Sequence, residues 1–201
     1  TTNETGTTVT FLPDSKIFKV IDFSFSTISE RIRESAFLNS GVNFPYTDER
    51  DDEITVEYLF NNGSGEVSSY MNECKKNITP IVMMNGLEKE IEVEVTLHYS
   101  TERTENLLSF ANNVKTSEGG SHVVGFRSGL TKVINDYARK EGLLKEKDKN
   151  LDSTNTREGL TAIISVKVPE SLIQYEGQTK GKLGTYDART AVEIIVTKQF
   201  G

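Results

Sequence analysis

Residues 175–182 read Tyr-Glu-Gly-Gln-Thr-Lys-Gly-Lys, the stretch best suited to meeting an anion. Gly177 and Gly181 permit positive φ and therefore a tight turn. Gln178 brings an amide donor and acceptor, and Lys180 a mobile ammonium. Such a loop can hold a positive charge out toward an anion bound on a neighbouring surface. It is not a Walker phosphate loop, which needs four residues between the glycines and a Ser or Thr after the Lys. Here Gln178, Thr179 and Lys180 supply only three, and Leu183 follows Lys182. On its chemistry alone, Lys180 reads as an exposed loop lysine.

A second candidate is Gly119-Gly120-Ser121-His122 at a helix start, where backbone N–H groups could form an anion nest. A tight turn feeding a helix capped by Ser121 explains the same residues more simply. Arg127, one turn further on, reads as an ordinary surface arginine. The two histidines, His98 and His122, are far apart in the chain and the single cysteine is Cys74, so no zinc-like cluster is expected. One cysteine also excludes an intrachain disulfide, which fits a reducing compartment, and Cys74 reads as a small core residue on a helix. Carboxylates are plentiful, but no pair stands out as general acid and base. The chain carries no catalytic constellation of its own.

The elements that would position these residues follow from periodicity and turn signals. Residues 5–12 are β-branched and aromatic with Pro13-Asp14 behind them, predicting a strand. Thr27-Ile28-Ser29-Glu30 has capping-box spacing and opens a helix with Ile28, Ile32, Phe37 and Leu38 as its stripe, stopped by Gly41. Residues 42–46 and 54–60 predict two strands around a charged hairpin tip. The break at residues 61–65, Asn-Asn-Gly-Ser-Gly, predicts a domain boundary, giving units 1–62 and 63–201. A short helix over 66–76 and a strand over 82–85 follow. Residues 89–99 alternate strictly, which places His98 on the wet face, and 106–112 is expected to be its antiparallel partner. Ser121 starts the longest helix, with Val123, Phe126, Leu130, Val133, Ile134 and Tyr137 as core and Arg127, Thr131 and Asn135 on a polar face; Gly142 ends it. A mixed charge run at 145–149, a helical turn at 154–158, a central strand at 160–168 and a final helix at 187–199 complete an α+β layer structure.

With 201 residues and a mean hydropathy of −0.43, the chain suits one large or two small soluble domains. No apolar run nears the roughly 20 residues a membrane span needs. The net charge of −7 argues against a general nucleic-acid coat protein, though not against a local basic surface. A chain that opens on Thr1 and stops soon after a helical pattern is expected to be part of something longer.

Several blocks together carry a specific resemblance. They are residues 119–127 (Gly-Gly-Ser-His-Val-Val-Gly-Phe-Arg), Leu130-Thr131, residues 134–138, residues 142–148, residues 157–167 and Glu176-Gly177-Gln178-Thr179-Lys180. With Thr5-Gly6-Thr7-Thr8-Val9 and residues 36–41, they make almost the whole chain resemble the B subunit of bacterial type IIA DNA topoisomerases, the gyrase and topoisomerase IV family. The resemblance implies that residues 1–62 are the C-terminal portion of a GHKL-type ATPase domain. Residues 63–201 would be a transducer domain with a left-handed β-α-β crossover like that of a ribosomal protein. It implies that Gln178 and Lys180 reach the γ-phosphate of ATP, that Thr7 lies near the adenine, and that Arg127 faces the cavity through which DNA passes. The catalytic Glu and Mg2+-binding Asn would precede residue 1, so this piece alone is expected to be inactive. The implied partners are DNA, the topoisomerase A subunit in a heterotetramer and a second B subunit in an ATP-dependent dimer, in the bacterial cytoplasm and away from any membrane. A non-enzymatic nucleic-acid-binding module of the same fold, or a mismatch-repair or chaperone relative in the same ATPase superfamily, is the alternative.

Overall fold

The computed structural model describes residues 5–50, 53–61 and 77–201. The helix expected over 66–76, with Cys74, and most of the break at 61–65 lie outside the described residues.

Helix α1 (Phe25–Leu38) opens one turn earlier than the capping box suggests. The Ser24 hydroxyl accepts from the Thr27 amide at 3.3 Å and so satisfies an orphan donor of the first turn. Strands β1 (Phe44–Asp48) and β2 (Ile54–Tyr58) form the expected antiparallel hairpin against α1. Arg50 pins the incoming chain to that hairpin, donating to Asp48 Oδ1 and Oδ2, to Asp22 Oδ1 and to the Phe23 carbonyl. The strand expected over 5–12 is absent: the segment is exposed and in no regular element. β-Branched residues make a strand only beside a neighbouring strand, and among the described residues this segment has none.

The rest is built on a five-stranded sheet in the order β3 (Val82–Glu88), β4 (Ile91–Tyr99), β7 (Leu160–Lys167), β5 (Asn106–Ala111), β6 (Val114–Lys115). The expected antiparallel pairing of 89–99 with 106–112 does not form. The most apolar run, β7, takes the centre instead, antiparallel to β4 and parallel to β5. Its burial on both faces decides this, since all its residues but Lys167 are buried. Two turns were hidden in the sequence. Lys89-Glu90 and Asn112-Asn113 all have positive φ and close two-residue hairpins between β3 and β4 and between β5 and β6. Residues 89 and 90 are therefore turn rather than strand.

Helices α2 (Ser121–Lys140) and α3 (Tyr186–Phe200) cover one face of the sheet. There Val93, Val95 and Leu97 of β4 and Ala162, Ile164 and Val166 of β7 meet Phe126, Leu130, Val192 and Val196 in one core. The second face is also covered, by Phe37, Leu38 and Phe60 over Phe110, Ile163 and Leu108. This corrects the placement of His98. It pairs with Thr161 on that second face and is fully buried rather than wet, because strict alternation predicts a wet face only where nothing packs on it. Two details of α2 also differ. Tyr137 is 59% exposed rather than core, and Ser121 is the first helical residue and not the cap, which is Gly120 with no side-chain bond. The charge run at 145–149 is exposed, and a 3-10 turn, Asn155–Arg157, stands where the helical turn was expected.

Candidate functional site

The loop of residues 177–181 is the tip of a small hairpin, β8 (Tyr175–Glu176) against β9 (Lys182–Leu183). It does not grow directly from the central strand, as the sequence suggests, but follows a seven-residue connection whose Leu172 and Ile173 pack on the main core. The Tyr175 hydroxyl donates to the Ala111 carbonyl at 2.9 Å, and Lys182 pairs with Glu176 at 2.9 Å. Gly184 N donates to the Gln174 carbonyl, and the Thr185 hydroxyl accepts from Gln174 N. The base of the hairpin is thereby fixed, and β9 runs straight into α3.

At the tip, Gly177 has φ +83° and Lys180 φ +55°. A left-handed lysine is uncommon and costs roughly 1–2 kcal/mol relative to ordinary backbone, so the surrounding hairpin must hold it there. Gln178, Thr179 and Lys180 are exposed. The Lys180 ammonium lies 5.5 Å from the centroid of the Tyr175 ring, a cation–π distance. Amide and ammonium on an exposed tip can meet an anion presented from outside, but they cannot enclose one.

Arg127 lies elsewhere, on α2. Its guanidinium donates to Glu105 Oε1 at 3.1 and 3.3 Å, and Arg157 donates to Glu105 Oε2 at 2.6 Å. One carboxylate thus holds two guanidiniums, so these three side chains together carry one positive charge in excess. Beside them is a shallow cleft of about 270 Å³ lined by Arg103, Glu105, Thr154, Asn155, Arg157 and Glu158. Arg103 reaches Glu158 at 3.5 Å. Sequence reasoning singled out Arg127 but missed Glu105, whose role depends on a pairing across 22 residues that no local pattern announces. Thr7 is exposed and in no regular element. Among the described residues no hydrogen bond or ion pair joins any two of Thr7, Arg127, Gln178 and Lys180, and no three His, Cys, Asp or Glu side chains converge as metal ligands.

The nest residues have another role. His122 is fully buried, its Nε2 3.1 Å from the Thr116 hydroxyl, which is itself 2.7 Å from Ser109 Oγ. Burial pushes the imidazole down to about 4, so the ring is neutral near pH 7. This Ser109–Thr116–His122 chain ties β5 to the start of α2.

A mixed five-stranded sheet with two helices on one face carries the exposed 177–181 tip on a small hairpin beside it. The family model for DNA gyrase B matches residues 30–201. The chain belongs to the DNA gyrase B family. Over its full length it is 51% identical to the DNA topoisomerase 4 B subunit of Enterococcus faecalis, and over 98% of its length 52% identical to that of Mycoplasma capricolum. It spans 30% of the length of each of these relatives. Among solved structures it resembles the ATPase domain of Thermus thermophilus gyrase B in complex with an aminocoumarin, with a TM-score of 0.77 and 32% identity, covering 94% of this chain and 50% of that one. It also resembles the B subunit of the DNA gyrase from Myxococcus xanthus, with a TM-score of 0.81 and 25% identity, covering 94% of this chain and 59% of that one. Among the described residues no helix is long and apolar enough to cross a membrane.

Proposed function

We propose that this chain is part of the ATP-operated clamp of a type IIA DNA topoisomerase, and that its loop at residues 177–181 reports on the nucleotide. Residues 1–62 form the C-terminal portion of the GHKL ATPase domain and residues 63–201 the transducer domain, with the left-handed β-α-β crossover that the resemblance implies; the parallel pair β5 and β7, joined through α2, suits it. The observation that carries the reading is the exposed, hairpin-mounted Gln178–Lys180 tip, whose amide and ammonium suit an anion presented by another surface. ATP supplies that anion as its γ-phosphate, with Mg2+ held outside this chain. Gln178 and Lys180 bind the terminal phosphate, Thr7 lies toward the base, and Arg127 faces the DNA cavity.

A charge-assisted contact contributes roughly 1.5–3 kcal/mol. Since about 1.4 kcal/mol is tenfold, one lysine is enough to bias a hinged pair of units by a factor of ten or more. The partners are DNA, the topoisomerase A subunit and a second B subunit in the cytoplasm. Identities of 51% and 52% to topoisomerase 4 relatives support that branch of the family.

The test is made in the full-length protein. Lys180→Gln should remove most ATP turnover while leaving the thermal melt unchanged; normal turnover in that variant would take Lys180 out of the mechanism. The isolated chain should show negligible turnover. With its A subunit, the full enzyme should decatenate DNA in preference to introducing supercoils, and the reverse preference would place it with gyrase.

A further inference from the structure

The tip that carries Lys180 has few holds of its own. Its side chain is exposed, and the Lys180 amide reaches the Gly177 carbonyl only at 3.4 Å. Its placement therefore depends on what fixes the hairpin beneath it: the side-chain contacts of Tyr175, Lys182 and Thr185 at its base, and a set of backbone bonds to residues 118–120. The Glu118 amide donates to the Gly181 carbonyl at 2.9 Å, the Leu183 amide donates to the Gly119 carbonyl at 3.1 Å, and Gly120 forms a parallel bridge with Leu183. Gly120 sits at φ +141°, and a Cβ there would stand 2.4 Å from the Leu183 carbonyl oxygen and 2.5 Å from its nitrogen. Only glycine lets the two backbones approach so closely.

The same short segment also reaches α1, β5 and the start of α2. Lys115 makes an ion pair with Glu34 of α1, Thr116 is locked between Ser109 and His122, and Gly120 caps α2. Residues 115–120 thus touch α1, β5 and the loop hairpin, and continue directly into α2.

We infer that Gly120 is the positioning residue for Lys180: by seating Leu183 against the start of α2, it sets where the ammonium is presented, and it ties that position to α1 and α2. The inference rests on the proposed role of Lys180 at the terminal phosphate. A displaced β9 moves the tip, so Gly120→Ala should lose the triphosphate contact without touching the nucleotide. The contacts run in both directions, so a loop drawn onto a phosphate also tightens residues 118–120.

The experiment measures binding of a non-hydrolysable ATP analogue and of ADP to the full-length protein, for wild type, Lys180→Gln, Gly120→Ala and the double variant. Lys180→Gln should lower the triphosphate-over-diphosphate preference at least tenfold. Gly120→Ala should do the same with ADP affinity unchanged, and the double variant should lose no more than Lys180→Gln alone. If Lys180→Gln keeps the preference, the proposed function fails. If Lys180→Gln loses it while Gly120→Ala keeps it, or if the two losses add, the positioning role fails and the function stands. Hydrogen exchange in the wild-type protein gives a test that does not need Gly120→Ala to fold. The Glu118 and Leu183 amides should gain protection with the analogue but not with ADP, and Lys180→Gln should abolish the gain. Equal protection in both nucleotide states would overturn the inference.

Discussion

The ring of Phe37 in α1 meets the ring of Phe110 in β5 edge to face, with centroids 5.4 Å apart and an interplanar angle of 80°. Both are buried, and with Ile163 they form a small core on the face of the sheet opposite α2 and α3. A T-shaped pair adds specificity to the burial of two large side chains. It anchors the first helix to the sheet across 73 positions of sequence, counting from 37 to 110.

Phe37→Ala should therefore cost about 3 kcal/mol, at the lower end for a buried Phe truncation because the cluster is small. Urea unfolding of the chain measures it. Hydrogen exchange should show the loss concentrated in α1 and the β1–β2 hairpin, with β4 and β7 protected as before. A cost below about 1 kcal/mol would mean that other contacts hold α1 to the sheet.

Gly125 and Gly129 lie one turn apart on α2 where it crosses α3. A Cβ at Gly125 would stand 2.1 Å from the Arg189 carbonyl oxygen, which is helix backbone and cannot move unless α3 does. At Gly129 the nearest atoms are 3.2 Å away. Gly125→Ala should thus force the helices apart and cost about 2 kcal/mol or more. Gly129→Ala should be near neutral, because roughly 1 kcal/mol of helix propensity offsets the tighter contact. Thermal melts of the two variants check the contrast, and equal shifts would refute the close approach at Gly125.

The layer structure was legible because its elements are strongly patterned. The alternation over β4, the unbroken apolar run of β7 and the helical stripe of α2 each specify their element through burial. Strand order was not legible, because which strand lies beside β4 is decided by where β7 fits best, and no local feature of residues 106–111 states it. The two positive-φ hairpins were missed because Lys89-Glu90 and Asn112-Asn113 lack the glycine that usually marks such turns. Gln178 and Lys180 were singled out by residue type and by resemblance, and the fold sets them on an exposed tip. Gly120 looked like punctuation before a helix. Its close approach to Leu183 is a long-range backbone contact that leaves no periodic trace. His98 was misplaced for a similar reason: alternation gives the two faces of a strand but not what covers the second one.

His122 gives the chain a pH dependence that can be separated from that of its carboxylates. Its folded value is about 4 against 6.5 for a free imidazole, and the cause is burial. Above pH 6.5 the ring is neutral in the folded and unfolded chain alike, and its full contribution to stability is present. Between 6.5 and about 4 the unfolded chain takes up a proton that the folded chain refuses, so stability falls as pH falls through that window. The slope approaches about 1.4 kcal/mol per pH unit and totals about 3 kcal/mol. Urea midpoints of wild type and His122→Gln, measured between pH 7.5 and 4, isolate the effect because both carry the same carboxylates. His122→Gln should be less stable than wild type at pH 7, and the gap should narrow steadily below pH 6.5. Parallel curves over the whole range would show that the imidazole is not held neutral by the fold, and that the Ser109–Thr116–His122 chain accepts a charged ring at the start of α2.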